Sequence, residues 1–217
     1  MWLQIFDFLR EHWDKVITII ISLAALIISA LTWLAQRNFS KKYKKATNVI
    51  ICNSIKLALY DIDLLIYKVN HVQDQSFDSY QLTFQIHSLE DNLKLIENIK
   101  VDQLPKNDTL NYQTYRKDLV DAIYKINSDI EKFKIQIKSY QRKDKNQIGS
   151  ARRYWKGAIL NSCLIVRSQL LRDREYIEKQ ESIFDEKYAN QLASMDSEAE
   201  VIAKNVGYNG LKYVNHD

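Results

Sequence analysis

An uncharged run of 21 residues near the N-terminus, residues 16–36, constrains this chain more than any other feature. Its sequence is VITIIISLAALIISALTWLAQ, with Lys15 before it and Arg37 after it. As an α-helix the run would be about 31 Å long, which matches the hydrocarbon thickness of a bilayer. The preceding residues lack the basic start of a signal peptide, and the apolar run is too long for one. We therefore predict a transmembrane helix over residues 16–36.

The charges on either side of this run predict its orientation. Residues 1–15 contain three acidic and two basic residues, whereas residues 37–45 contain no acid. The basic residues of this second segment are Arg37, Lys41, Lys42, Lys44 and Lys45. Positive residues remain on the cytoplasmic side of a membrane and attract anionic lipid headgroups. We therefore expect a single-pass protein of a bacterial inner membrane, with its N-terminus outside and its C-terminal domain in the cytoplasm.

Residues 1–15 have their own helical pattern. One face carries the apolar and aromatic residues Trp2, Ile5, Phe6, Leu9 and Trp13. The other face is charged, so the segment is predicted to lie as an amphipathic helix in the membrane interface. A simpler interpretation is that Trp13 and Trp33 are the aromatic belt residues at the two ends of the membrane span.

A stripe of small and hydroxylated residues runs along the predicted span. Its members, at steps of four and three residues, are Thr18, Ser22, Ala25, Ser29 and Thr32. Small residues let helix backbones approach closely in lipid, so the stripe predicts helix association and a homo-oligomer. The alternative is that each hydroxyl simply bonds to the backbone of its own helix.

The remainder of the chain is predicted to be all-α. The 217 residues include only one proline and four glycines, too few for the turns of a sandwich or barrel. Four apolar runs with heptad spacing follow the basic segment. They are Ile51, Ile55, Ala58, Ile62, Leu65 and Val69; Leu82, Ile86, Leu89, Leu93 and Ile96; Leu119, Ile123, Ile126, Ile130, Phe133, Ile137 and Tyr140; and Ile159, Cys163, Val166, Leu170 and Ile177. The fourth run is interrupted by Asp173 and then continues loosely through Phe184, Tyr188 and Leu192.

These runs predict an antiparallel bundle of about four long helices over residues 46–203, followed by a tail over residues 204–217. Polar breaks separate them at residues 70–79, at residues 102–109 around Pro105, and at residues 143–150 with Gly149. Asp78 and Asp108 are predicted N-caps of the two helices that follow the first two breaks. A coiled-coil dimer formed through the third helix is the competing prediction, because both arrangements use the same heptads.

The third break carries a cluster of basic residues. Residues 138–156 contain seven basic residues and one acid, with aromatic residues between them. The predicted partner-binding residues are Arg142, Lys143, Lys145, Arg152, Arg153, Trp155 and Lys156. Such a patch could bind an acidic protein surface or nucleic acid, or it could be a solvated loop. An unknown protein partner is favoured over nucleic acid.

Catalytic chemistry is not expected, and no catalytic residue, metal ligand or cofactor is predicted. His71 and His87 lie on different elements without a metal-ligand spacing. Asp61 and Asp63 fall on different faces of a helix and do not form an acid pair. Cys163 lies on an apolar face with no histidine nearby, which predicts an inert core thiol.

Three functions follow from these features. The leading hypothesis is a membrane-anchored interaction or scaffold protein that acts by self-association or partner binding. The first alternative is a membrane-perturbing effector, a toxin or defence protein, that oligomerises through its span. The second is a membrane-tethered nucleic-acid binder that uses the basic hairpin of residues 138–156.

Overall fold

A computed structural model describes residues 13–101, 104, 106–143, 145–177 and 186–206; the side chains of residues 106–108, 143, 145 and 174–177 lie outside the description. All regular structure in these ranges is helical, so the all-α prediction is confirmed. The five α-helices are α1 (Trp13–His71), α2 (Thr83–Glu97), α3 (Lys106–Lys143), α4 (Ile148–Ile177) and α5 (Glu186–Asn205). The predicted interfacial segment lies outside the described residues, apart from Trp13–Lys15, which belong to α1.

The chain divides into two units, residues 1–45 and residues 46–217. In the first unit, the described part of α1 is apolar and its large side chains are exposed, among them Ile19, Leu26 and Trp33. By length and composition α1 is able to cross a membrane.

The second unit has one hydrophobic core to which all five helices contribute. Most residues of the four heptad runs are buried in it, as predicted. Leu93 and Ile137 pack against the core while partly exposed, Tyr140 is half-buried, and Ile177 has no described side chain. The heptad runs therefore predicted the buried faces of α1 to α4 correctly.

The prediction that the fourth helix continues loosely to Leu192 is wrong. α4 ends at Ile177 and α5 begins at Glu186. Arg167 Nη2 of α4 lies 3.1 Å from the backbone oxygen of Asp196 in α5. In one continuous helix these residues would be about 44 Å apart, so the chain reverses direction between them. α5 then buries Ala199, Ile202 and Ala203 in the core.

The structure also corrects the predicted N-caps. Asp78 does act as an N-cap, but of a short 3₁₀-helix, Ser79–Leu82. The Asp78 carboxylate accepts a hydrogen bond from the Tyr80 backbone N–H at 3.3 Å. Asp108 lies inside α3, which begins at Lys106, so it is not an N-cap. Gly149 is the second residue of α4 and does not lie in a loop.

Candidate functional site

The small-residue stripe lies on the exposed surface of α1. Three of its hydroxyls donate to the backbone of the preceding turn: Thr18 to Asp14 O at 2.7 Å, Ser22 to Thr18 O at 2.7 Å, and Thr32 to Ile28 O at 2.8 Å. Ala25 and Ser29 are exposed between them. These three hydroxyls are therefore satisfied within the helix itself.

Aromatic and basic side chains follow one another at the end of the apolar run. The Arg37 guanidinium carbon lies 5.4 Å from the centre of the Trp33 ring, a cation–π distance. The rings of Phe39 and Tyr43 stack with centres 6.4 Å apart. The other predicted lipid-binding residues all lie on α1, where Lys41, Lys42 and Lys45 are exposed and Lys44 is half-buried.

Three residues of the predicted partner-binding patch converge on the segment after α1. Lys156 Nζ donates to Val72 O at 2.7 Å and to Asp74 Oδ1 at 3.0 Å. Arg153 Nε donates to Asp74 Oδ2 at 3.0 Å, and Arg152 donates to Gln75 O. The hydrogen bonds from Lys156 and Arg153 lower the pKa of Asp74 below its usual range. We call these contacts between α4 and residues 72–76 the basic clasp.

The rest of the patch is spread over α3 and α4. Arg142 is exposed near the end of α3, and the indole of Trp155 donates to Gln136 Oε1 across the two helices. The side chains of Lys143 and Lys145 lie outside the described residues. The basic clasp was missed from the sequence because Asp74 lies 79 residues before Arg153; the only signal for it was an acid in a predicted loop.

A charged cluster inside the second unit was also missed. Arg167 Nε of α4 donates to Asp63 Oδ1 of α1 at 2.8 Å, and a second nitrogen bonds to Asp196 of α5. The Asp63 side chain is 1% exposed and that of Arg167 11%. The neighbouring acid Asp61 accepts a 2.7 Å hydrogen bond from Ser88 of α2. Asp61 and Asp63 thus face different helices: Asp61 bonds to α2 and Asp63 bonds to α4.

A groove of about 350 Å³ runs between α1 and α5 beside this cluster. Its polar lining consists mainly of Lys56 and Tyr60 from α1 and Asp196, Ser197 and Glu200 from α5. The Tyr60 and Tyr188 rings lie 6.1 Å apart and hold the same two helices together. Glu200 is bonded to Lys204 at 2.9 Å.

The described residues contain no group of three or more side chains that could hold a metal ion. Cys163 is fully buried in the core as predicted, and burial raises the pKa of its thiol to about 12. Cys52 is buried as well. His71 packs its ring against Tyr67, 4.1 Å between ring centres, one turn earlier on α1.

No protein-family model, curated protein or solved structure matches the chain. Over the described residues the regular structure is all helical, and one helix there is apolar enough to cross a membrane. The function of the chain is therefore inferred from the residues themselves.

Proposed function

We propose that this chain is a membrane-anchored interaction or scaffold protein that acts by self-association or partner binding. Residues 16–36 span a bacterial inner membrane, and residues 46–203 form a helical bundle in the cytoplasm. The observation that carries the proposal is the exposure of the large apolar side chains along this part of α1. Such a continuous apolar surface is unfavourable in water and is covered by lipid or by another apolar helix.

The residues that follow the span support this placement. Arg37 stacks on Trp33, and three of the four lysines after it are exposed at the end of the apolar run. A tryptophan is suited to headgroup depth, and lysine and arginine are suited to anionic lipid headgroups. This segment therefore anchors the protein and keeps residues 46–217 on the cytoplasmic side.

Self-association uses the small-residue stripe of α1. Thr18, Ser22 and Thr32 bond to their own backbone, so these three hydroxyls do not require water. Ala25 and Ser29 leave room for close approach of a second backbone. In lipid, such close packing drives association, because the hydrophobic effect does not act between helices already in an apolar solvent.

The test is the native mass of the full chain after extraction in a mild detergent, with identification of every protein that co-purifies. A homo-oligomer, or a stoichiometric complex with a second protein, is the expected result. The triple variant S22L/A25L/S29L should reduce a homo-oligomer to monomers, because leucine prevents close backbone contact. Ala24→Leu is the matched control, since residue 24 lies about 200° around the helix from residue 22. A wild-type chain that is monomeric and without partner would overturn the proposal.

A further inference from the structure

A buried polar layer crosses the core of the second unit. Ser54 Oγ of α1 donates to Asn92 Oδ1 of α2 at 2.7 Å, and Asn92 Nδ2 donates to Ser54 O at 2.7 Å. The Tyr115 hydroxyl of α3 lies 2.8 Å from Ser54 Oγ. Because the single Ser54 proton is used toward Asn92, Tyr115 is the donor to Ser54. These three side chains satisfy one another.

The buried polar residues of this unit also include Asp173 of α4. Asp173 is only 6% exposed, and its Oδ2 has no hydrogen-bond partner among the described residues. A buried carboxylate with an unpartnered oxygen is unfavourable when it is charged, whereas the protonated acid is much less so. The site thus favours the form of Asp173 that carries a proton.

The groups around Asp173 reinforce this preference. Asp118 of α3 adds a negative charge nearby, while Arg172 of α4 partly offsets it. Tyr115 of α3 is close enough for an ionised Asp173 to raise its pKa. The layer residues contributed by α1 and α2, Ser54 and Asn92, do not titrate. Burial first, and Asp118 second, raise the pKa of Asp173 to about 7.

We propose that Asp173 is a proton-controlled switch of the packing between α3 and the end of α4. With its proton bound, the neutral carboxyl stays buried beside Tyr115 and α4 packs closely against α3. When the proton passes to water, the carboxylate is drawn toward solvent and this contact opens. This inference does not depend on the proposed membrane function, because it concerns residues 46–177 alone.

The sign of the pH dependence follows from linkage. In the open form Asp173 has an ordinary pKa near 3.8, and in the packed form its pKa is raised to about 7. The opening equilibrium therefore rises about tenfold per pH unit between these two values and is constant above the higher one. Close packing is strongest in acid and weakest at and above neutral pH.

Hydrogen–deuterium exchange of the full chain in detergent micelles, followed by mass spectrometry from pH 4 to pH 8.5, tests the switch. Exchange times are scaled for the intrinsic pH dependence of amide exchange. All variants carry Asp61→Asn, because the pKa of that acid is also raised, to about 6. Amides of residues 112–122 and 164–173 should lose protection as the pH rises toward 7, and then remain constant. Asp173→Asn should remove this dependence.

Two further variants separate a switch from a merely structural role. Asp118→Asn removes one cause of the raised pKa of Asp173. Exchange should therefore become independent of pH from a lower pH upward, and the total loss of protection should be smaller. Asp129→Asn is the matched control, since Asp129 also joins α3 to α4, through a 2.6 Å bond from Ser162, and should leave the profile in place. A flat profile in the Asp61→Asn reference, or an unchanged profile when Asp173→Asn is added to it, would overturn the proposal.

Discussion

Arg167 shows how a single buried charge joins three helices. Its guanidinium bonds to Asp63 of α1 and Asp196 of α5 while its own backbone belongs to α4. Removing one member of a buried ion pair is costly, because the other charge loses its counter-charge in a medium that solvates it poorly. The cluster therefore specifies the arrangement of these helices more strictly than apolar contacts would.

We predict that Arg167→Ala lowers the free energy of unfolding by about 3–5 kcal/mol. Arg116→Ala is the control: its 2.7 Å pair with Glu97 is half-exposed, and its loss should cost about 1 kcal/mol or less. Urea unfolding of the full chain in a non-ionic detergent, followed by circular dichroism, measures both. Equal effects of the two substitutions would contradict a special role for the buried cluster.

Asp61 gives a prediction about pH. Burial raises its pKa to about 6, against the opposing effects of the Ser88 hydrogen bond and the Lys68 charge. Because the folded pKa is above the ordinary value, the unfavourable ionisation of Asp61 develops as the pH rises from about 4 to about 6. Asp61→Asn should therefore stabilise the protein by up to about 3 kcal/mol above pH 6 and have little effect near pH 4.

Unfolding free energies of the wild type and Asp61→Asn at pH 4 and pH 8 test this expectation. Asp91→Asn provides the comparison, since the exposed Asp91 pairs with Lys94 and the pKa of its carboxyl is lowered. If Asp61→Asn changes stability equally at both pH values, the raised pKa is not the cause.

Among the helices, the first turns of α4 carry basic residues that form contacts within the same chain. These basic residues are predicted to bind a partner, and three of them, Arg152, Arg153 and Lys156, bond to residues 72–76 of the same chain. The short 3₁₀-helix Asp74–Ser76 buries no residue of its own. Val72 and Phe77 on either side of it pack against the core, so the basic clasp supplies the polar contacts between this connection and α4.

We predict unequal contributions within the basic clasp. The Lys156 side chain is 18% exposed and makes two bonds, so Lys156→Met should cost about 1–2 kcal/mol. The Arg153 side chain is 80% exposed, and water screens its pair with Asp74, so Arg153→Ser should cost less than about 1 kcal/mol. Thermal unfolding, together with protease cleavage within residues 72–78, measures the difference. Cleavage that is unchanged in Lys156→Met would show that the clasp does not hold the segment.

At the scale of the whole molecule, the two units use apolar residues in opposite ways. Among the described residues, the second unit buries most of them in one core, whereas residues 13–45 display them. In the proposed function, lipid covers these residues of α1, and the basic residues after them set the orientation of the helix in the membrane.

This orientation leads to a prediction for the intact protein. Changing Lys41, Lys42, Lys44 and Lys45 to Gln should lower the fraction of molecules whose C-terminal domain is cytoplasmic. Protease added to spheroplasts measures it, since residues 46–206 are protected only when they lie inside. The control replaces Lys100, Lys117, Lys125 and Lys138 with Gln. It should leave the fraction of molecules with a cytoplasmic C-terminal domain unchanged. Complete digestion of the wild type from outside would refute the proposed orientation.

Local patterns were sufficient to predict helices α1 to α4 and most of their buried faces. An uncharged run of 21 residues is a property of neighbouring residues, and so is the heptad spacing of Ile51 to Val69. Both depend on the fixed rise and turn of an α-helix, which needs no knowledge of the surroundings. For the same reason the small-residue stripe of the span is readable from the spacing of its members alone.

The partners of the charged residues required the folded chain. Asp63 lies 104 residues before Arg167, and Asp74 lies 82 residues before Lys156. The reversal between α4 and α5 and the unpartnered oxygen of Asp173 likewise depend on which helices become neighbours. Heptads are nearly interchangeable, so many pairings of these helices would bury the same apolar area. Whether a given charge meets an opposite charge, a like charge or none is settled only when one of those pairings is chosen.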